Sequence, residues 1–363
     1  MECSQKPLFH DLSLSGLYDL KIEKPDEEIK KRVKENWDHI AKPVDGMGRF
    51  ENIVAQIASI AGDVTAKIDK KAVIVLCADN GIVEEKVSQS GQEVTKIVAK
   101  EMTEGKSAVC KMAKKAGADR IIVDIGIADT QQIPGVLQKK IRPGTGNFIK
   151  EPAMTKEETL KAIKTGIALV EECKRAGYQI LAAGEMGIGN TTTSSAVATA
   201  LFQCEAKEVT GRGAGLSDRS LLHKRKIIES AIAKYNLYDA DVFTVLQTVG
   251  GLDIAGMAGI YIGGALFHIP IVLDGMISMT AALVAERILP GVKEYLIPSH
   301  KGKEPAVFLL MQALDMEPIL NADMALGEGT GAVMMFSLLD MALCVYQNGT
   351  TFSEIQMDPY TRF

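Results

Sequence analysis

Ala72-Val73-Ile74-Val75-Leu76-Cys77-Ala78-Asp79-Asn80-Gly81 decides the fold. A short, continuous apolar run rich in β-branched residues reads as a strand buried on both faces. It passes straight into a polar turn containing glycine. Three further runs share this character: Arg120-Ile121-Ile122-Val123-Asp124-Ile125, Gln179-Ile180-Leu181-Ala182-Ala183 and Ile269-Pro270-Ile271-Val272-Leu273. Helix-length amphipathic segments lie between them, among them Val94 to Ala116 and Lys156 to Lys174. Strands alternating with helices imply an α/β fold with a parallel sheet.

The chain ends read differently. Pro25-Asp26-Glu27-Glu28 puts acids in the first turn of a helix, where the dipole favours them. Phe50 to Ile60 repeats the helical rhythm, and no strand signal precedes residue 70. The last strong helix runs from Gly331 to Tyr346 and carries Asp340, which marks it as packed inside the protein.

Composition narrows the function. The 363 residues are 47% hydrophobic and 24% charged, with a formal charge of -5, ordinary values for a soluble globular chain. The short cluster His223-Lys224-Arg225-Lys226 is too small a positive face for a nucleic-acid partner. Six cysteines (Cys3, Cys77, Cys110, Cys173, Cys204, Cys344) are scattered without CxxC or Cys/His spacing. That argues against a disulfide framework and against a structural zinc site, and it suits a reducing, cytoplasmic compartment. Met1 to Lys6 lacks the basic and apolar regions of a signal peptide. Ile254 to Leu273 is uncharged, but Gly256, Gly259, Gly263, Gly264 and Pro270 split it into a close-packed helix and a strand. A membrane span is not expected.

In open parallel sheets, ligands collect beyond the carboxyl ends of strands. The third strand run enters Gly184-Glu185-Met186-Gly187-Ile188-Gly189-Asn190-Thr191-Thr192-Thr193. Its glycines let backbone amides approach a ligand, and a helix opening on threonines offers an anion site. It is neither a Walker A loop nor a G-x-G-x-x-G fingerprint. A plain turn capped by Thr191 explains the same residues. Gly211-Arg212-Gly213-Ala214-Gly215 precedes a helix with an N-cap at Ser217-Asp218. Lys224 on that helix is placed to reach a phosphate, or else belongs to a solvated basic face. Leu326-Gly327-Glu328-Gly329-Thr330-Gly331 sets one carboxylate between glycines before a long apolar helix. That suits a general base, and equally a helix N-terminal acid.

Taken together, these segments resemble the nicotinate-nucleotide:5,6-dimethylbenzimidazole phosphoribosyltransferase family, which activates the cobalamin lower ligand. The resemblance covers Lys42-Pro43 through Gly48-Arg49, Cys77-Ala78-Asp79, Gly184 to Thr192 and Val249-Gly250-Gly251-Leu252-Asp253. It continues through Leu273-Asp274-Gly275, Leu296-Ile297-Pro298-Ser299-His300, Met316-Glu317-Pro318 and Leu326 to Gly331.

The resemblance implies a Rossmann-like parallel sheet of about six strands. Residues 66–335 would form the large unit, and residues 1–65 with 336–363 a small helical bundle. It also implies a homodimer and no cofactor or metal. Glu328 matches the catalytic base, whereas Glu317 does not. Glu185 and Gly187 match residues holding the nicotinate nucleotide, within a matching loop that includes Asn190, Thr191 and Thr192. Lys224, Asp274 and Gly275 fall where further nucleotide contacts are expected, and Ser90 and Leu326 where the acceptor base binds. Three positions depart from the family: Asn80 replaces a common His, Val98 a Gln and Ala325 an Arg. These departures imply a less polar acceptor pocket and leave open whether dimethylbenzimidazole, another benzimidazole, adenine or a phenolic base is the acceptor. Two rival readings are a nicotinamide-dinucleotide oxidoreductase, disfavoured by the absent fingerprint, and a non-catalytic nucleotide-binding partner subunit, disfavoured by Glu328.

Overall fold

A computed structural model describes residues 7–362. Met1 to Lys6, including Cys3 and the start read above as lacking a signal peptide, lie outside the described residues. The four strand runs form β1 (Lys71–Ala78), β2 (Asp119–Gly126), β4 (Ile180–Met186) and β5 (Ile271–Leu273). Two strands not foreseen, β3 (Leu137–Gln138) and β6 (Leu296–Pro298), complete the sheet. All neighbours pair in parallel, in the order β3-β2-β1-β4-β5-β6. This is the doubly wound order that turns ligands toward the strands' carboxyl edge.

Strand alternation divides the core. Ala72, Ile74 and Leu76 enter one apolar cluster, and Val73, Val75 and Cys77 enter the other. Helices Lys156–Arg175, Leu252–Leu266 and Met276–Ile288 supply residues to the first. Helices Arg49–Ala61, Glu93–Thr103, Ala108–Lys115 and Thr330–Asn348 supply the second. Covering both faces is what a sheet of continuous apolar strands requires.

The uncharged stretch behaves as a core helix followed by a strand. Leu252 through Ala265 are buried, and β5 follows. Helix Leu252–Leu266 crosses Lys156–Arg175 at backbone contact: a Cβ on Gly166 would strike the Gly256 carbonyl, and one on Gly263 would lie 2.9 Å from the Val170 Cβ. Thr330–Asn348 is the one described helix long and apolar enough to cross a membrane. It packs on the sheet, and its Asp340 Oδ1 takes the Lys71 ammonium at 2.5 Å.

Two local expectations are corrected. Val94 to Ala116 is two helices, Glu93–Thr103 and Ala108–Lys115, broken at Gly105 (φ +74°), a conformation glycine adopts without steric cost. Gly184, Glu185 and Met186 are strand rather than loop, pairing with Val75, Leu76 and Cys77. The two chain ends touch: Ile40 and Thr351 form an antiparallel bridge, and Trp37 packs on Tyr346 with ring centroids 5.0 Å apart.

Candidate active site

Beyond the carboxyl ends of β4 and β5 opens a cavity of about 330 Å³. Glu185, Gly187, Asn190, Thr191, Asp274, Gly275, Leu326 and Glu328 all line it. Chain segments more than 140 residues apart in sequence (Glu185 and Glu328) therefore share one cleft.

The β4 end carries an acidic floor. The Asn190 side-chain amide donates to Glu185 Oε2, and to Asp253 Oδ2 at 3.2 Å. Burial, with the Asp253 and Asp274 charges added, pushes the Glu185 carboxyl well above the usual carboxylate range. Burial likewise pushes Asp253 up to about 6. Gly187 must lack a side chain here, because a Cβ would come 2.5 Å from the Ala78 carbonyl and 2.9 Å from Asp253 Oδ2.

The helix after β4 starts at Asn190, with Gly189 at its N-cap (φ +93°). Thr191 is thus not the cap, and its hydroxyl instead accepts a hydrogen bond from Lys224 Nζ at 2.9 Å. Lys224 also reaches the Gly211 carbonyl at 3.4 Å and is fully buried, which removes the solvated-face reading. Burial pulls its ammonium down to about 8, against the opposing charge of Glu304. Gly213 and Ala214 line the same end of the cavity. A buried ammonium beside a hydroxyl and a glycine loop is suited to phosphate. Arg225 turns away, donating to the Thr210 carbonyl at 3.2 Å.

Glu328 stands at the opposite lip, with left-handed backbone (φ +61°) between Gly327 (+83°) and Gly329 (+85°). Its Oε2 accepts the Val109 N–H at 3.1 Å, the second residue of helix Ala108–Lys115. The carboxylate is therefore oriented by a helix N-terminus rather than left free. Its loop touches the floor through Gly327, whose Cβ would lie 3.0 Å from Glu185 Oε1.

Three expected residues lie off the cavity wall. Thr192 is buried with its hydroxyl unpartnered. Lys224 stands behind Thr191. Ser90 is half-buried, with its N–H on Ser88 Oγ at 3.3 Å. Of the three departures, Val98 and Ala325 line the cavity. Asn80 lies beneath it, donating to the Ile188 carbonyl at 3.3 Å, so it does not change acceptor-pocket polarity directly. Among the described residues no group of three or more His, Cys, Asp or Glu side chains is arranged for a metal ion.

The model of the phosphoribosyltransferase family matches residues 22–357. The nicotinate-nucleotide–dimethylbenzimidazole phosphoribosyltransferase of Acetivibrio thermocellus is 47% identical over 329 residues, spanning 90% of this chain and 93% of that protein. This chain belongs to the nicotinate-nucleotide–dimethylbenzimidazole phosphoribosyltransferase family. The family's protein from Clostridium acetobutylicum is 43% identical over 335 residues, spanning 92% of this chain and 95% of its own length. The crystal structure of CobT from Thermus thermophilus superposes with a TM-score of 0.86 at 34% identity, over 92% of this chain and all of that one.

Within this family fold, the sequence reading left four wall residues unexplained. His300, Gly302, Lys303 and Glu304 line the cavity from a small two-stranded parallel sheet and the turn after it. That sheet pairs β7 (His300–Gly302) with β8 (Leu320–Met324). Strands so short carry no periodic signal.

Proposed function

We propose that this chain transfers the ribose 5-phosphate group of nicotinate mononucleotide to a lower-ligand base, 5,6-dimethylbenzimidazole or a related one, releasing nicotinate. The product is an α-riboside phosphate for assembly of the cobamide nucleotide loop. The observation that carries this reading is the single cleft lined by Thr191, which Lys224 backs from behind, by Glu185 and by Glu328.

The chemistry follows from that arrangement. The 5′-phosphate binds at Lys224, Thr191 and the Gly213–Ala214 loop, which fixes the ribose over the acidic floor. An acceptor nitrogen attacks the anomeric carbon on the face opposite nicotinate. A C–N bond forms as the old C–N bond breaks, and the β-riboside becomes an α-riboside. The electron pair of the broken bond returns to the ring nitrogen of nicotinate, which leaves neutral at that atom and needs no acid. Glu328 takes the proton from the acceptor base. Positive charge builds on the ribosyl carbon at this step, and the carboxyl groups of Glu185 and Asp253 lie beneath it. A preorganised polar surround of this kind needs no rearrangement at the moment of reaction. Holding both partners in line supplies effective molarities on the order of 10⁵ M.

Val98 and Ala325 give the acceptor end a less polar wall, which favours flat apolar bases. The same reading takes the functional unit as a cytoplasmic homodimer. Exposed Met334 and Met341 on helix Thr330–Asn348, 37% and 65% accessible, support burial against a second copy. Residues 66–335 are taken as the large unit and residues 1–65 with 336–363 as the small helical one, a division supported by the Ile40–Thr351 bridge. Incubation with nicotinate mononucleotide and a panel of benzimidazoles, purines and phenols, with mass detection, tests the function. Nicotinate release with a riboside phosphate of at least one base is expected. Release with none of them contradicts the reading.

A further inference from the structure

The loop bearing Glu328 is held in an improbable shape. Three successive residues with positive φ, Gly327, Glu328 and Gly329, lead into a helix whose N-cap is a glycine without a side-chain cap. The first N–H groups of any helix lack intrahelical partners. Here they find one on another element. Asp274, at the end of β5, accepts from Gly331 N at 2.8 Å and Ala332 N at 3.3 Å through Oδ1, and from Gly329 N at 3.2 Å through Oδ2.

Asp274 is itself fixed. Its backbone N–H donates to Ser278 Oγ at 2.9 Å, and Tyr261 meets that hydroxyl at 2.6 Å. The His300 ring covers Gly331 so closely that a Cβ there would strike it, and its Nδ1 lies 3.9 Å from Asp274 Oδ1. Charged or titratable neighbours facing the carboxyl are His300, Glu185 and Tyr261. Both carboxylate oxygens are thus committed to the protein.

We propose that Asp274 is a positioning residue for this reaction: by accepting three N–H groups at the head of helix Thr330–Asn348 it latches the Gly327–Gly329 loop and sets Glu328 at the cavity lip. The resemblance alone suggests a different role, direct contact with the nucleotide. The inference rests on the transfer reaction proposed above for its kinetic consequence, but its structural half stands apart from it.

The test combines hydrogen exchange and kinetics on the full-length protein. In the unmodified chain the amides of Gly329, Gly331 and Ala332 should be protected about 10²-fold or more, although first-turn amides ordinarily exchange freely. Free exchange at these three overturns the latch, whatever the activity. In Asp274→Asn one acceptor oxygen remains for Gly331 and Ala332 while the new amide faces Gly329 N, so the Gly329 amide should exchange at least about 10-fold faster than in the unmodified chain. With nicotinate mononucleotide and dimethylbenzimidazole, the variant should lose about 10-fold or more in kcat, with the nucleotide KM within about 3-fold. A large rise in KM at unchanged kcat would instead assign Asp274 to nucleotide contact and overturn the inference. If the unmodified chain shows no transfer, the function fails, and hydrogen exchange still decides the latch.

Discussion

The backbone of Glu328 lies directly on Gly184: a Cβ built at Gly184 would come 2.5 Å from the Glu328 carbonyl oxygen and 2.7 Å from Gly329 N. The obstruction is backbone, which cannot swing aside as a side chain does. Gly184→Ala should therefore displace the Glu328 loop, at a cost of about 1–3 kcal/mol in stability. A displacement near 1 Å lowers turnover by about 10²-fold. Thermal unfolding and kcat measured on one preparation check this, and an alanine variant with unchanged kcat would separate Gly184 from the mechanism.

Glu328→Gln keeps an oxygen for the Val109 N–H, so the loop should hold its shape. Only the capacity to take a proton is lost. Turnover should fall about 10²-fold or more, the usual effect of removing a general base, while the nucleotide KM stays near its original value. Steady-state kinetics check this prediction, and turnover near that of the unmodified protein would remove Glu328 as the proton acceptor.

Lys224 gives a pH signature. Burial holds its ammonium near 8, far below an ordinary lysine, so its charge is lost as pH rises through that value. A phosphate ester is already fully ionised there. The nucleotide's kcat/KM, which reports groups on the free enzyme, should therefore decline above pH of about 8. Lys224→Met should raise KM about 10-fold or more and flatten that decline. A profile level to pH of about 10 in the unmodified protein would place the charge elsewhere.

The acidic floor predicts an unusual stability profile. Asp253 has its folded-state pKa raised from 3.8 to about 6 by burial, and burial raises Glu185 as well. Between the unfolded and folded values the native state binds more protons, so stability rises as pH falls. For Asp253 alone the shift of about 2 units corresponds to at most about 3 kcal/mol. For Asp253 the midpoint of thermal unfolding should therefore gain as pH falls from about 6.5 toward about 4.5, and Asp253→Asn should reduce that gain. A midpoint falling steadily over this range would mean these carboxyls are ionised and well paired.

Some of this was legible in residues alone. β1, β2, β4 and β5 announce themselves because strands buried on both faces need unbroken apolar runs, and Leu252–Leu266 because glycines mark a close helix crossing. Glu328 stands out because a carboxylate between glycines has few purely structural reasons to exist. What stayed hidden depends on tertiary contact. Lys224 reads as surface charge until its helix is packed, and Ser90 gives no sign that it stands off the cavity. Gly184 and Glu185 look like loop because their strand pairing comes from β1, and His300 and Glu304 reach the cavity from a sheet too short to have a period. Asp274 was visible as a residue at a strand end, but its grip on the helix at Gly331 joins positions 57 residues apart.

The most direct measurement is the structure of this protein crystallised with nicotinate mononucleotide. The account predicts the phosphate on Lys224 Nζ and Thr191 Oγ1, with the anomeric carbon above Glu185 and its open face toward Glu328. A nucleotide bound with its phosphate away from Lys224, or with nicotinate lying between the ribose and Glu328, would contradict it.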